Sequence, residues 1–438
     1  MVERARGGWP RILIVGGGYI GLYTALRLEE TLAPHEAEVT LVSPENFMLY
    51  RPLLPEVASG SLEPRHAVVP LRQALRRTTL VAGRLTGLDH QAHSARVQPY
   101  VGEELTLGYD HVVIGLGAMS KLFPIPGLVD HAVGFTSIGE AIHLRNAILA
   151  CLEAAASTRD DAARARALTF CFVGGGYTGV EALAELQDMA ADACRWFPTL
   201  DPAQLRWVLV EATDRLLPSF DPALAQWTLD LLRERGVEVH LETTVKAVED
   251  GVVQLSTGKD LPTDTLVWAT GLVPHTLAGG LGLPADERGR LEVEPTLQVT
   301  GSPGAWAAGD CARVPDLVGG GTCPPTAQYA VREARQLGDN LAAALRGETP
   351  APFRYESKGE FVTLGMRKAV GQVKGRRLAG MTAWALRRAY YASQIPTANR
   401  KVRLALDWTV AMPFRHDPVN LESEEEPKAA LEEAAAGR

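Results

Sequence analysis

The strongest constraint on the fold is a glycine-rich turn that occurs twice, each time between a strand-like run and a helix-like run. The first copy, GGGYIG, follows the apolar run at residues 11–15, and the second, GGGYTG, follows Phe170–Val173, 158 residues later. A further strand-like run, Glu38–Val42 or Trp207–Val210, completes each unit. Two complete βαβ units predict an α/β protein with two doubly wound, Rossmann-like dinucleotide-binding domains.

Three glycines in each turn have separate tasks. The first permits the tight turn, the second lets a pyrophosphate approach the backbone, and the third lets helix and strand pack closely. We expect the phosphates to bind at the helix N-terminus, where free N–H groups and the helix dipole favour negative charge. The glycines in these positions are Gly16, Gly18 and Gly21 in the first unit and Gly174, Gly176 and Gly179 in the second.

The residue at the end of the second strand of such a unit selects the nucleotide. An acid there hydrogen-bonds the adenosine ribose and repels a 2′-phosphate. Glu211 has this position in the second unit, which favours NAD over NADP. Ser43 has it in the first unit, so the first ribose contact is left to a neutral side chain or to Glu45 nearby.

Cysteine content and hydropathy exclude several classes of protein. The five cysteines form no C-x-x-C pair, which argues against a disulfide framework, a zinc site and a dithiol redox centre, and we predict no metal. The sequence has no run of 18 apolar residues and no signal-peptide pattern. We therefore expect no membrane-spanning helix and a chain that stays in the cytosol.

One region carries a charge opposite to that of the whole chain. Residues 354–416 contain 13 Lys and Arg against three Asp and Glu, although the full chain has a net charge of −8. Such a block predicts a negatively charged partner. Basic residues such as Arg387 and Arg388 stand near Trp384 and Trp408, which favours a helix in the headgroup region of an anionic membrane. An ordinary core with a solvated face is the alternative, and we expect no nucleic-acid partner because no motif for reading one is present.

Several segments, taken in order, resemble those of the type II NADH:quinone oxidoreductases, which belong to a superfamily of flavoproteins with two dinucleotide-binding domains. The segments are VGGGYIGLYTALRL, FMLYRPLLPEVASG, FVGGGYTGVEALAEL, LVWATG, WAAGD and PPTAQ. The resemblance covers about residues 10–415. It implies that the first glycine turn binds FAD and that an inserted second domain binds NADH.

The resemblance, together with a change in composition near Pro350, divides the chain into consecutive regions. The FAD-binding domain is discontinuous and surrounds the NAD-binding domain. The expected regions are 10–130 (FAD-binding domain, first part), 131–262 (NAD-binding domain), 263–350 (FAD-binding domain, second part), 351–416 (basic, amphipathic membrane-docking region) and 417–438 (acidic tail, expected to be disordered).

The resemblance also implies roles for individual residues. Glu181, just after the second glycine turn, matches the family's acid near the nicotinamide and flavin rings. Gly309 and Asp310 resemble its second flavin motif, whose Asp bonds the ribityl chain or the pyrophosphate. Gly117 and Gly271, which end apolar runs, are expected to complete the turns around the cofactors.

A helix predicted from Thr326 to Ala344 is expected to point its N-terminus at the flavin ring and to stabilise negative charge there. Ala327 and Gln328 begin this helix, and Gln328 resembles the first Gln of the family's AQxxxQ quinone motif. Arg332 stands where the second Gln is usual. Because positions i and i+4 share a helix face, Gln328 and Arg332 should reach the same acceptor. The alternative is that Arg332 is a surface residue paired with a nearby acid such as Glu333 or Glu181.

The implied activity is that of a peripheral respiratory-chain flavoenzyme on the cytoplasmic side of the cell membrane. NADH gives a hydride to bound FAD, and two electrons pass on to a membrane quinone without proton pumping. Two alternatives stay open. One is a sulfide:quinone oxidoreductase, which the lack of a convincing cysteine pair disfavours, and the other is a non-catalytic flavoprotein scaffold that senses NADH. A homodimer is also left open.

Overall fold

Two mainly parallel β-sheets, each with a glycine turn after a central strand, organise the chain. The computed structural model describes residues 8–414 and 416–420. In this part of the chain the first sheet has seven strands. The first five in spatial order are parallel to one another, and each of the last two pairs antiparallel with the strand before it. Their order is Ala305–Ala307, His111–Ile114, Arg11–Val15, Glu38–Ser43, Thr79–Asp89, Ser94–Pro99 and Leu105–Gly108.

The second sheet lies within the chain between strands of the first. Its described strands are all parallel and follow the spatial order Ala132–Val133, Thr265–Trp268, Thr169–Val173, Arg206–Val210 and Val237–His240. The apolar runs Arg11–Val15 and Thr169–Val173 are almost wholly buried, as expected for parallel strands covered on both faces. The predicted fold class, two doubly wound units with one inserted in the other, is confirmed, whereas the predicted domain limits stay a prediction.

Helices cover both sheets and bring the ends of the first unit together. The helix after the first glycine turn, Tyr19–Thr31, packs along Ala327–Leu345, where Thr24 Oγ1 donates to the Ala334 carbonyl at 3.1 Å. Thr326 caps the second of these helices, which starts one residue later than predicted. The helix after the second glycine turn is Tyr177–Cys194. The remaining helices of this part are Leu54–Ala58, Leu71–Ala74, Leu128–His131, Ile138–Ser157, Asp161–Ala167, Pro222–Glu234 and Thr276–Gly279.

Small antiparallel elements connect these layers. They are Val245–Glu249 with Val252–Leu255 and Asp260–Pro262, Phe47–Leu49 with Val68–Pro70, and Ala118–Ser120 with Leu272–Pro274, besides the short parallel pair Leu291–Glu292 and Ala312–Arg313. The pairing of Ala118–Ser120 with Leu272–Pro274 joins the segments that follow a central strand of each large sheet.

The C-terminal region packs onto the second unit. Three antiparallel strands, Gly359–Thr363, Ala369–Val373 and Arg376–Ala379, precede the helices Gly380–Gln394 and Ala398–Ala411. Thr363 and Met366 fasten these strands to the helix Tyr177–Cys194 through Glu185 and Asp188, with donor–acceptor distances of 2.7 Å in both cases. Within the described residues, none of the helices is both long and apolar enough to span a bilayer. Residues 421–438 of the predicted tail lie outside the described residues.

Candidate active site

The first glycine turn has the backbone shape that a dinucleotide requires. Gly16 has φ +100°, and a Cβ on it would overlap the carbonyl of Gly115, so only glycine fits there. A Cβ on Gly21 would overlap the carbonyl of Gly16, which shows how closely helix and turn pack. The corresponding space at Gly18 is open, and no side chain caps the helix Tyr19–Thr31 among the described residues. Its first N–H groups are therefore available to a pyrophosphate.

The second glycine turn repeats this geometry. Gly174 has φ +112°, and a Cβ on it would overlap the carbonyl of Ala269. A Cβ on Gly179 would overlap the carbonyl of Gly174, whereas the space at Gly176 is open. The helix Tyr177–Cys194 also lacks a side-chain cap in the described structure. Both turns thus fit the phosphates of a dinucleotide, and binding by these glycines stays a prediction.

The two turns differ at the end of the second strand. Ser43 is buried, and its hydroxyl donates to the carbonyl of Glu45 at 2.7 Å, while the Glu45 side chain is exposed. Glu211 instead accepts from the backbone N–H of Gly175 at 2.5 Å and from both the N–H and the hydroxyl of Thr213 at 2.8 Å. A carboxylate thus lies beside the second turn, and a neutral hydroxyl beside the first.

A third glycine turn closes the first unit from the other side. Gly309 has φ +71°, and its N–H donates to the Glu333 carboxylate at 2.7 Å. Burial raises the pKa of Glu333 to about 7. Burial also raises the pKa of Asp310, and the charge of Arg51, whose Nη1 lies 4.0 Å from the Asp310 Oδ2, partly offsets that increase. The sequence analysis named Glu333 only as a possible surface partner of Arg332, whereas it is buried and bonds Gly309. Its position on the buried face of an amphipathic helix was the signal for this second role.

Gly117 and Gly271 both have positive φ, +69° and +109°, and open space where a Cβ would stand. Gly117 accepts a hydrogen bond from the N–H of His275 at 3.1 Å. These properties fit turns that pass close to a ligand. Their predicted contact with the cofactors stays a prediction.

A cavity of about 310 Å³ brings the predicted catalytic residues together. Glu181 enters it from the second unit, and Gln328 and Arg332 from the helix Ala327–Leu345. Ala327 and Asp310 also line it. Four tyrosines from the first unit and the C-terminal region also line the cavity: Tyr19, Tyr50, Tyr390 and Tyr391.

Glu181 lies in a cluster of buried charges. It accepts from the N–H of Thr363 at 2.8 Å, and Arg387 Nη2 lies 3.2 Å from its carboxylate. Burial raises the pKa of Glu181 to about 7, against the opposing charge of Arg387. Arg387 also bonds Glu56 at 2.7 Å, and both of these side chains are 1% exposed. Glu56 lies in the helix Leu54–Ala58, so the cluster joins three distant parts of the chain.

This cluster corrects one interpretation of the basic region. Arg387, Arg388, Trp384 and Trp408 were expected near a membrane surface, but they face the protein interior. The Arg388 guanidinium lies 3.8 Å from the Trp384 ring centroid and 5.0 Å from that of Trp408, and Trp408 Nε1–H donates to Glu56. The reason is the buried Glu56 carboxylate, which requires partners inside the protein: Arg387 and the Trp408 N–H bond it, and Arg388 lies 4.0 Å from it.

Gln328 and Arg332 share one helix face, as expected. Arg332 Nη1 donates to the Gln328 carbonyl at 2.8 Å, and its guanidinium lies 4.6 Å from the ring centroid of Tyr355. The Gln328 side-chain nitrogen donates to the Tyr355 hydroxyl at 2.5 Å and to Ser357 at 3.1 Å. Both of its N–H groups are therefore engaged, so a hydrogen bond from this nitrogen to a quinone would require these contacts to exchange.

The cysteines are free thiols in weakly reactive surroundings. Burial raises the pKa of Cys311 to about 11 and that of Cys323 to about 12. Because the thiolate is the reactive form, these two residues are poor nucleophiles at neutral pH. This weighs against the sulfide-oxidising alternative.

The helix Ala398–Ala411 has an exposed apolar face opposite its buried one. Val402, Leu406 and Val410 recur every fourth residue and are 59%, 59% and 57% exposed. Leu404 and Trp408 face inward. This apolar stripe, defined by Val402, Leu406 and Val410, is one part of the basic region that is open to a partner.

Comparison with known proteins places this geometry among flavoenzymes. The model of the pyridine nucleotide-disulphide oxidoreductase family matches residues 10–334. The chain is 31% identical to the demethylphylloquinone reductase NdbB of Synechocystis sp., with 91% of this chain and 95% of the relative covered. It is also 31% identical to the type II NADH:quinone oxidoreductase NdhA of Mycobacterium tuberculosis, covering 87% and 82% of the two chains. The structure of NDH2 from Plasmodium falciparum in complex with NADH has the same fold, with a TM-score of 0.87 at 20% identity over 94% of this chain and 99% of that one.

Proposed function

The chain belongs to the type II NADH:quinone oxidoreductases within the pyridine nucleotide-disulphide oxidoreductase family, and on that premise we propose how its residues oxidise NADH and reduce a membrane quinone. The observation that carries the proposal is the 310 Å³ cavity, which Glu181, Gln328 and Arg332 line together. FAD, when bound, supplies the hydride acceptor and the two-electron donor of the reaction. Gly16, Gly18, Gly21, Gly117, Gly309 and Asp310 would hold it.

The second unit holds the nucleotide substrate. Gly174, Gly176 and Gly179 receive the pyrophosphate of NADH, and Glu211 accepts hydrogen bonds from the adenosine ribose. Gly271 lies at the opening of the same turn. The nicotinamide then approaches the cavity from the side of Glu181, so that both ends of the reaction lie within one space.

Glu181 holds a proton at the cavity wall near neutral pH. With its pKa raised to about 7 by burial, its carboxyl is protonated in about half of the molecules at that pH. Reduction of a quinone to a quinol takes up two protons, and a carboxyl in this position can deliver one of them. The positive charge of Arg387 stabilises the Glu181 carboxylate after the proton has left.

Separate measurement of the two half-reactions tests this assignment. Gln328→Ala and Arg332→Ala should slow quinone reduction by ~10- to 100-fold, which corresponds to ~1.4–2.8 kcal/mol. Reduction of the flavin by NADH, followed by stopped-flow absorbance, should stay within a small factor of the parent rate because the nicotinamide approaches from the side of Glu181 and does not contact Gln328 or Arg332.

Gln336→Ala is a matched control, since Gln336 lies on the same helix but bonds Asn340 at 3.0 Å outside the cavity lining. Equal quinone rates in all three variants would place the quinone site elsewhere. A parent protein whose flavin is reduced by NADH without any acceptor turnover would favour the NADH-sensing scaffold instead.

We also propose that the apolar stripe docks on the anionic cytoplasmic leaflet of the cell membrane. Val402, Leu406 and Val410 would enter the headgroup boundary, and Arg403, exposed on the same helix, would contact lipid phosphates. The exposed stripe and the excess of Lys and Arg in residues 354–416, apart from the inward-facing Arg387 and Arg388, favour an anionic surface such as the cytoplasmic leaflet.

Replacing Val402, Leu406 and Val410 together with Ser should release the protein from phosphatidylglycerol vesicles and leave flavin reduction by NADH intact. Val101→Ser is the control, because Val101 is highly exposed in a different part of the fold. A triple variant that sediments with vesicles like the parent would defeat the proposal. Loss of a dimer in light scattering without loss of vesicle binding would assign the stripe to a second copy of the chain.

A further inference from the structure

Tyr19 has a buried hydroxyl whose proton has no acceptor among the described residues, although the backbone N–H of Arg51 approaches its oxygen. Tyr19 is the first residue of the helix Tyr19–Thr31, directly after the open glycine Gly18. Its hydroxyl oxygen is buried and has no hydrogen-bond partner among the described residues, although the side chain lines the 310 Å³ cavity. A buried polar group without a partner is destabilising, so such a group at a cavity wall indicates a ligand that supplies the missing bond.

The surroundings of Tyr19 are aromatic and extend toward the C-terminal helices. Its ring lies 5.8 Å from that of Tyr50 in an edge contact, and Tyr50 lies 5.9 Å from Tyr391 in another. Tyr391 belongs to the helix Gly380–Gln394. A flat ring that enters the cavity beside these side chains meets aromatic edges and faces, with the Tyr19 hydroxyl as a polar group among them.

The chemistry of this hydroxyl defines its partner. Burial raises the pKa of Tyr19 well above its ordinary value, against a smaller opposing effect of Arg51. The phenol therefore keeps its proton and acts as a donor. A planar molecule with a ring carbonyl, such as a quinone, supplies the acceptor that this donor requires and fits between the neighbouring aromatic rings.

We propose that the Tyr19 hydroxyl donates a hydrogen bond to a ring carbonyl of the bound quinone, and that Tyr50 and Tyr391 form the wall on which the quinone ring packs. The proposal rests on the quinone activity proposed above and adds a donor to that site. It also complements Gln328, whose side-chain nitrogen is engaged by Tyr355 and Ser357.

A neighbouring tyrosine gives a matched control. Tyr23 lies one helical turn further along, stacks on Tyr19 with a centroid distance of 6.4 Å, and donates its hydroxyl proton to the Gln394 carbonyl at 2.7 Å. It is outside the lining of the cavity. Tyr19→Phe and Tyr23→Phe therefore remove the same atom from adjacent rings, one without and one with a partner.

The experiment compares the two variants as FAD-loaded proteins. Tyr19→Phe should raise the dissociation constant of decylubiquinone, titrated against the oxidised enzyme by flavin fluorescence, by about 10-fold, which corresponds to ~1.4 kcal/mol. It should leave FAD content and flavin reduction by NADH unchanged. Without quinone, its thermal midpoint should equal or exceed that of the parent, because an unpartnered hydroxyl has been removed. Tyr23→Phe should show the opposite pattern, with parent-like quinone affinity and a lower midpoint.

Two results would overturn the proposal. If Tyr19→Phe loses FAD, the hydroxyl serves the flavin, and if it binds decylubiquinone like the parent, a water satisfies it. Both differ from a failure of the proposed function, in which the parent protein itself would bind FAD and oxidise NADH without reducing any quinone.

Discussion

The two glycine turns share a backbone and differ in where they hold a carboxylate. In the second unit Glu211 lies beside the turn, bonded to Gly175 and Thr213, in the position where we predict the nucleotide ribose. In the first unit that position belongs to Ser43, whose hydroxyl is used within its own loop. A carboxylate of the first unit, Glu333, instead supports the Gly309 turn from the buried side.

The difference separates two tasks of a dinucleotide site. The backbone geometry, common to both turns, provides the phosphate cradle, whereas the side chain at the strand end sets the preference for a nucleotide. NADH must be distinguished from NADPH, and a carboxylate at the strand end repels the 2′-phosphate of NADPH. A tightly held cofactor does not need that discrimination, so a neutral hydroxyl is sufficient.

The largest effect is expected from the third glycines. Gly21→Val should weaken FAD affinity by ~1000-fold or more, which corresponds to about 4 kcal/mol, because the valine side chain would collide with the carbonyl of Gly16. Gly179→Val should keep FAD and lose NADH affinity by a similar factor. Flavin absorbance per chain and NADH titration measure both. Gly18→Ala serves as a control, since its Cβ meets no protein atom and should disturb the cofactor without disturbing the fold.

If Gly21→Val kept its flavin and lost NADH affinity instead, the assignment of the two turns to FAD and NADH would be reversed. Loss of both ligands in both variants would mean that the two units do not fold independently enough for this comparison.

The next effect is a change in the pH dependence of stability. Folding raises the pKa of Glu333 from 4.5 to about 7 through burial, so between these values the folded chain holds a proton that the unfolded chain has released. The contribution of Glu333 to the free energy of unfolding is therefore fully present below pH 4.5, decreases as the pH rises from 4.5, and is lost as the pH passes 7. Glu333→Gln cannot ionise, and its stability relative to the parent should grow by up to about 3 kcal/mol between pH 4 and 8. Denaturant unfolding at a series of pH values tests this, and a constant difference would contradict it.

A smaller effect is expected from the carboxylate of the second turn. Glu211→Ser should narrow the preference for NADH over NADPH by ~10- to 100-fold, or ~1.4–2.8 kcal/mol, mainly through a lower KM for NADPH. The physical reason is the removal of a negative charge close to the 2′-phosphate. Steady-state kcat/KM for both nucleotides gives the ratio. Glu211→Gln separates charge from geometry because it can still accept from Gly175, and an unchanged ratio in both variants would show that Glu211 does not face the ribose.

The smallest effect is expected at the first turn. Ser43→Asp should leave FAD affinity equal or a few-fold tighter, because an acid beside the ribose adds an acceptor without meeting a phosphate there. Ser43→Ala removes the bond to Glu45 and tests the loop alone. Fluorescence of released flavin during dilution measures the affinity. A clear loss of FAD in Ser43→Asp alone would place Ser43 away from the ribose.

Local patterns were enough for the fold. The strands Arg11–Val15 and Thr169–Val173, their glycine turns and the helix beginning at Ala327 were all predictable, because periodicity, burial and turn chemistry act over a few residues. The common cavity of Glu181, Gln328 and Arg332 agrees with the family resemblance, and their roles stay predictions.

Long-range partners were not predictable. Arg387 lies 331 residues from Glu56, and nothing in its local sequence distinguishes a buried arginine from one that faces lipid. Tyr19 belongs to a recognised glycine turn, but whether its hydroxyl finds a hydrogen-bond partner depends on all the groups packed around it, which come from distant parts of the chain. The same holds for Glu333, whose function depends on the distant Gly309.

The cluster of Glu56, Glu181 and Arg387 has a consequence for how the protein is made. The two acids are synthesised early and their cation late, so a nascent chain holds both carboxylates before Arg387 leaves the ribosome. Burying them without that cation is strongly unfavourable, and the contact between the helices Leu54–Ala58 and Tyr177–Cys194 should stay hydrated until the last part of translation. A chain truncated before Arg387 should therefore keep Glu56 and Glu181 hydrated and leave the cavity beside them open to water.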